Sequence, residues 1–129
     1  MQLPATILIV DDHEYVRRTL RSLLAQQPHW KIHEAADGRS AIDRVRKLKP
    51  DVVVMDIVMP GIDGIAATYE LHQVAPKTKV VLISSHYTPE EAASIARLFG
   101  DGSFVTKAAA GKDLIPAVSR MLSPESQAV

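Results

Sequence analysis

The sequence predicts an α/β fold built around a parallel sheet, and three observations carry that prediction. Five short apolar runs alternate with five segments of helical periodicity. Most of those runs are apolar throughout, so they need cover on both faces, as strands of a parallel sheet do. Each of four runs also ends on a polar group: Asp11-Asp12, Asp56, Ser84 and Lys107.

The elements follow in order. "ATILIV" (5–10) is a strand rich in β-branched residues that stops at Asp11-Asp12. Val16, Leu20, Leu23 and Leu24 fall at helical spacing, with Arg17, Arg18 and Arg21 between them, and Pro28 closes that segment. "WKIHEA" (30–35) alternates like a strand. Asp37 is placed to cap a helix that carries Ile42, Val45 and Leu48 on one face. "DVVVM" (51–55) reads as a fully apolar strand, and residues 63–75 as a helix ended before Pro76. "KVVLIS" (79–84) is the fourth strand. "TPEE" (88–91) opens a helix with Thr88 as cap, Pro89 in the first turn and Glu91 completing a capping box; Gly100 ends it. "SFVT" (103–106) is the last strand, and 113–122 the last helix.

Bulk properties narrow the class. With 129 residues, the chain supports one domain with a real core. Lys+Arg and Asp+Glu both number 15, so no global field draws it toward nucleic acid or an anionic membrane. The absence of cysteine excludes disulfides and thiolate metal sites. The start, "MQLPATILIVDD", lacks a basic segment and argues against a signal peptide. No apolar stretch approaches the ~20 residues that cross a bilayer. A cytoplasmic domain is expected, with residues 1–122 as its body and 123–129 ("SPESQAV") as a linker or disordered tail.

Right-handed crossovers bring every carboxyl end of a parallel sheet to one edge. Asp11, Asp12, Asp56, Ser84 and Lys107 therefore converge there. Crowded carboxylates need counter-charge, which a hard divalent cation with oxygen ligands supplies. Mg²⁺ takes one or two carboxylates, keeps waters and favours a phosphate; a lysine adds a point charge and a serine hydroxyl a hydrogen bond. Such a cleft suits a phosphoryl group beside Mg²⁺ (or Mn²⁺). An aspartate in it can itself be the nucleophile.

The stretches "ILIVDDHEYVRRTL", "VVVMDIVMPGIDG", "VVLISSH" and "GDGSFVTK" resemble the receiver domain of two-component response regulators, from about residue 5 to residue 122. "DDH" followed by "VRR" resembles the LuxR/NarL type, whose receivers precede a helix-turn-helix DNA-binding domain. The resemblance implies a flavodoxin-like (βα)5 doubly wound fold with strand order 2-1-3-4-5. It implies Asp56 as phosphoacceptor, with Mg²⁺ held by Asp12 and Asp56, by Asp11 through water, and by the backbone carbonyl of Val58. It further implies Ser84 and Phe104 as switch residues and Lys107 as the phosphoryl partner. A sensor histidine kinase would be the phosphodonor. Other implied partners are a second copy of the chain and DNA, the latter only through a C-terminal output domain outside this sequence; no membrane partner is expected.

Plainer roles stand beside these. Asp12 is also placed to cap the first helix, Ser84 to satisfy a nearby backbone group, and Phe104 to fill the core. His13, His29, His33, His72 and His86 do not fall at zinc-ligand spacing and read mostly as surface or loop residues. Apolar Val58 has nothing to orient an attacking water, which predicts slow to moderate self-dephosphorylation. Ala108 stands where many receivers have proline, so a trans bond is expected after Lys107. Pro116 predicts a late last helix, capped by Asp113 and starting near Leu114, after a long loop at 107–113. Three functions remain open: a phosphorylated switch, either controlling transcription or acting alone through protein contacts; a Mg²⁺-dependent phosphohydrolase; and a degenerate receiver that binds a partner without phosphorylation.

Overall fold

The computed structural model describes residues 4–97 and 103–122. Their order is β1 (Ala5–Val10), α1 (Glu14–Leu24), β2 (Trp30–Ala35), α2 (Gly38–Leu48), β3 (Val52–Asp56), α3 (Gly64–Val74), β4 (Lys79–Ser84), α4 (Pro89–Arg97) and β5 (Ser103–Thr106). A 3₁₀ turn at Lys107–Ala109 then leads into α5 (Ala110–Leu122). Among the described residues the strands form one sheet, β2-β1-β3-β4-β5, with every neighbouring pair parallel. This is the doubly wound, flavodoxin-like order expected.

Alternation along the strands divides the apolar side chains between two cores. Ile7, Ile9, Val52, Val54, Val81 and Ile83 face α1 and α5, where Leu20, Leu24, Leu114 and Val118 close the layer. Leu8, Val10, Val53, Met55, Val80 and Leu82 face the other way, against Ala41 and Val45 of α2 and Ala67 and Leu71 of α3. Central β1 and β3 are buried on both faces, which is why their sequences are unbroken apolar runs. Edge strand β2 is only partly buried and keeps polar alternates.

The caps show how local sequence sets the helix starts. Asp37 accepts from Ser40 N at 2.8 Å and Asp63 from Ala66 N at 2.8 Å. Thr88 and Glu91 form the reciprocal capping box, at 3.0 and 3.2 Å. The helix end assigned to Gly100 and the tail at 123–129 lie outside the described residues. Asp12 does not cap α1: the cap position is His13, with no side-chain hydrogen bond. Asp56 is the last residue of β3 rather than the residue after it. Asp51, expected to open that strand, instead accepts from Thr6 N at 2.8 Å just before it.

The last helix departs most from expectation. It begins at Ala110, directly after the 3₁₀ turn, and the cap is Thr106, whose Oγ1 accepts from Ala109 N at 3.2 Å. No long loop occupies 107–113, and Pro116 is the seventh residue of α5. The physical reason is the buried stripe Ala110, Leu114, Ala117, Val118 and Met121, which requires a helix from residue 110 onward to reach the core. Pro116 and Lys112 are both exposed, so the Lys112 carbonyl deprived of its helical donor lies on the solvent side. No cis peptide bond occurs among the described residues.

Pro116→Ala tests this arrangement. An interior helical proline costs ~3 kcal/mol, offset by ~1 kcal/mol from its stiffening of the unfolded chain. The variant should gain about 1–2 kcal/mol in urea unfolding. A helix beginning at Leu114 would give no gain.

Candidate functional site

The strand order reverses direction between β1 and β3, so their carboxyl ends form the edge where doubly wound folds bind ligands. β1 delivers Asp11 and Asp12 to that edge; β3 ends on Asp56. β4 ends on Ser84, and β5 leads into Lys107, with Ser84 paired to Thr106.

Lys107 is the hub. Its Nζ lies 2.8 Å from Asp11 Oδ2 and 3.2 Å from Asp56 Oδ2, donating a hydrogen bond to the latter. The Asp11 contact is the shorter of the two ion pairs. The other Asp11 oxygen accepts from His13 N at 2.8 Å, and Val58 N approaches Asp56 Oδ1 at a long 3.4 Å. Asp11 is 0% and Asp56 1% exposed. The cleft expected for a phosphoryl group is therefore not open at Asp56. In this arrangement the ammonium closes over its oxygens, because two buried acids draw the nearest cation into contact.

Gly64 explains why the chain after β3 runs "MPGIDG". A β-carbon there would overlap the carbonyl oxygen of Asp56, and Gly64 N donates to Ile57 O at 2.8 Å. Only glycine lets the start of α3 pack this closely on the strand end that holds Asp56.

The electrostatics follow from this geometry. Burial, and next the Asp11 carboxylate, push Asp56 up from 3.8 to about 6, against the pull of Lys107 and Val58 N–H. Burial works against the charge on Lys107, but contact with Asp11 and the charge of Asp56 outweigh it and raise that ammonium above its ordinary value.

The donors fit a divalent cation. Asp12 Oδ1 is buried with no hydrogen-bond partner, 3.3 Å from His13 Nδ1. Asp11, Asp12 and His13 offer ligand atoms all within 4.8 Å of one another. Asp56 stands beside this cluster, joined to Asp11 through Lys107, rather than within it. Among the predicted site residues, Asp11, Asp56 and Lys107 are thus in direct contact, and Asp12 adjoins Asp11 in sequence and in the cluster. Val58, 41% exposed, contributes its main-chain N–H to the same edge. Ser84 is buried, and its Oγ accepts from His86 N at 2.9 Å, so the plainer backbone role is filled. Phe104 is half-buried against the second core; its pairing with Leu82 puts it on the same sheet face as Ser84.

Three residues of the site escaped the sequence reading. His13 was taken for a loop residue, yet it adjoins both acids. Thr106 caps the turn that carries Lys107. Arg17 Nη1 donates to the Asp11 carbonyl at 2.8 Å. "DDH" as a run of possible ligands was the available signal for His13; nothing in the spacing marks the other two.

Fold and site together define a receiver-type acidic pocket on a flavodoxin-like sheet. The chain belongs to the response regulator receiver domain family, which it matches over residues 7–119. It is 32% identical to the response regulator protein VraR of Staphylococcus saprophyticus over 127 residues, covering 96% of this chain and 59% of that protein. The chain therefore spans about three-fifths of that relative's length. A LuxR-family two-component response regulator from Aurantimonas sp. SI85-9A1 superposes with a TM-score of 0.83 at 34% identity, covering 92% of this chain and 85% of that one. The chemotaxis protein CheY4 of Vibrio cholerae shares the fold, with a TM-score of 0.80 at 23% identity over 92% of this chain and 98% of that one. Receiver domains are signalling modules. Among the described residues no helix is long and apolar enough to cross a membrane.

The raised Asp56 value sets a pH dependence. The folded state holds this proton more tightly than the unfolded chain does, so the group costs nothing below ~4. Its cost grows as pH rises through about 6 and is complete above that, on the order of 3 kcal/mol. Asp56→Asn should therefore be more stable than the parent at pH 7.5 by about 1–3 kcal/mol, with the gap closing toward pH 4. Urea midpoints across that range measure it, and a gap independent of pH would contradict the assignment.

Proposed function

We propose that Asp56 is the phosphoacceptor of a phosphorelay switch. The observation that carries this reading is the carboxylate at the end of β3, linked by one lysine ammonium to a second acid. An Asp56 oxygen attacks the phosphorus of a phosphohistidine; the new P–O bond forms as the P–N bond breaks, and the imidazole leaves with the electron pair. Lys107 follows the transferred group and neutralises charge on its oxygens. Asp11 and Asp12, with Asp56 and the Val58 carbonyl, would hold Mg²⁺ or Mn²⁺. Bound there, the cation supplies charge neutralisation at the phosphoryl oxygens. Asp56 must be ionised to attack, and both Lys107 and a bound cation favour that charge.

Ser84 and Phe104 are the proposed relay. The Ser84 hydroxyl is both acceptor and donor, so while it caps His86 it can also turn its proton to a phosphoryl oxygen. Phe104 lies on the same face, two residues before Thr106, so its ring is placed to respond to a change at Ser84. Val58 offers no group to orient an attacking water, which supports a persistent phosphoryl state.

We further infer that a sensor histidine kinase in the cytoplasm is the donor. The domain takes part only in its own phosphorylation and dephosphorylation. Output is through homodimerisation or through a DNA-binding domain outside this sequence. The likeness to LuxR-family proteins, and the greater length of the VraR relative, support a transcriptional output.

Incubation with Mg²⁺ and phosphoramidate, followed by intact-mass measurement, tests the core of this reading. One labile phosphoryl adduct is expected, lost in Asp56→Ala. Absence of any adduct would overturn it, and repeated turnover of added phosphoesters would favour a phosphohydrolase.

A further inference from the structure

Arg17 bridges two elements beside the pocket. From the first turn of α1, its Nη1 donates to the Asp11 carbonyl at 2.8 Å, and its Nε donates to Glu34 Oε1 of β2 at 3.1 Å. Arg21 holds the other Glu34 oxygen at 2.9 Å. The Arg17 side chain is largely buried, at 16% exposure. Burial resists charge on Glu34, but hydrogen bonds from Arg21 and then Arg17 outweigh it and keep this carboxyl below its ordinary value. By contrast, Arg18 makes an exposed pair with Glu14, at 2.8 Å, of the kind worth little.

The Asp11 carbonyl belongs to the peptide that joins the two acids. Where that oxygen points fixes the plane of the peptide, and with it the direction of the Asp12 side chain. Three other bonds hold the same turn: Asp11 N to the Ala35 carbonyl of β2 at 3.2 Å, His13 N to Asp11 Oδ1, and Arg17 N to the His13 carbonyl at 3.0 Å. None of them engages the Asp11 carbonyl.

We propose that Arg17 is a positioning residue for the divalent-cation site: by tying the Asp11 carbonyl to Glu34 of β2, it fixes the turn that presents the Asp11 and Asp12 carboxylates. This rests on the reading of those acids as cation ligands. Only a forked donor serves, because one arm must reach a carbonyl while another stays on a carboxylate.

Charge and position predict opposite signs. Removing a cation near crowded acids should tighten divalent-cation binding if Arg17 acts only through its field. If it acts by position, binding should weaken ten- to a hundredfold, as loss of groups supporting metal ligands does elsewhere. The measurement is the Mg²⁺ dissociation constant of the full chain by NMR shift titration, alongside urea stability. Arg17→Met should raise it at least tenfold. Arg17→Lys, which keeps charge but not the fork, should fall between. Glu34→Asp, which keeps the charge but shortens the anchor, should also weaken binding. Arg18→Met should stay within twofold. If Arg17→Met folds too poorly to titrate, the Arg17→Lys and Glu34→Asp values decide. Unchanged or tighter Mg²⁺ binding in the Arg17 and Glu34 variants would overturn the positioning role alone, whatever happens to stability. No Mg²⁺ binding by the parent chain, or binding unaffected by Asp12→Asn, would overturn the cation-site reading and this proposal with it.

Discussion

One ammonium held between two buried carboxylates is the constraint on which the rest of the site depends. Asp11 and Asp56 come from different strands and are both cut off from water, so neither can be charged there without a nearby cation. Lys107 reaches them only because β5 delivers it to the same edge. Its placement depends in turn on Thr106 capping the 3₁₀ turn and on α5 starting at once behind it. The apolar stripe from Ala110 to Met121 thus has a role beyond stability: it fixes the segment that ends in the lysine. This links core packing to pocket charge, and it is why α5 tolerates Pro116 rather than starting later.

The second constraint is steric. A buried acid at a strand end must be followed by a chain that leaves quickly without covering it in bulk. Gly64 lets α3 begin against the Asp56 carbonyl, and Gly61, with φ 78°, supplies the turn between them. Val58 is left exposed at the rim. The apolar loop in "DIVMPGIDG" therefore buries Ile57 and Met59 while keeping the carboxylate edge free of large polar competitors.

Much of this was legible in the sequence, for identifiable reasons. Strands buried on both faces read as apolar runs, and parallel topology then forces their ends together, so Asp11, Asp12, Asp56, Ser84 and Lys107 could be gathered without coordinates. Capping residues act within three or four positions, so Asp37, Thr88 and Glu91 could also be read. What escaped was decided by longer-range contacts. Pro116 looked like a helix start because a local rule was applied where the buried face of α5 prevailed. The open cleft around Asp56 was an inference from chemistry, and it missed that the lysine would close over the acids. Arg17 and Glu34 lie seventeen residues apart on different elements, and no periodicity relates them.

The burial of Asp56 also bears on how a signal would leave the pocket. An acid whose proton is held up to about pH 6 is a group the fold accommodates at a cost once ionised. Any ligand that neutralises that charge lowers the energy of the state it binds, and it shifts the conformational balance only through contacts made in one state and not the other. The register of β4 against β5 limits where those contacts can be. Ser84 pairs with Thr106, so the end of β4 and the cap of the lysine turn sit side by side. Two residues back on that face, Phe104 meets Leu82 in the second core, against which Tyr87 and Ile95 also pack. A change of charge at Asp56 thus has a short packed route to the α4–β5 surface through neighbours that the sheet register already fixes. On the opposite side, Arg17 and Glu34 pin the Asp11 turn to β2. The Asp11 turn is thereby held on the β2 side, while the register of β4 and β5 carries contacts from the pocket edge toward α4.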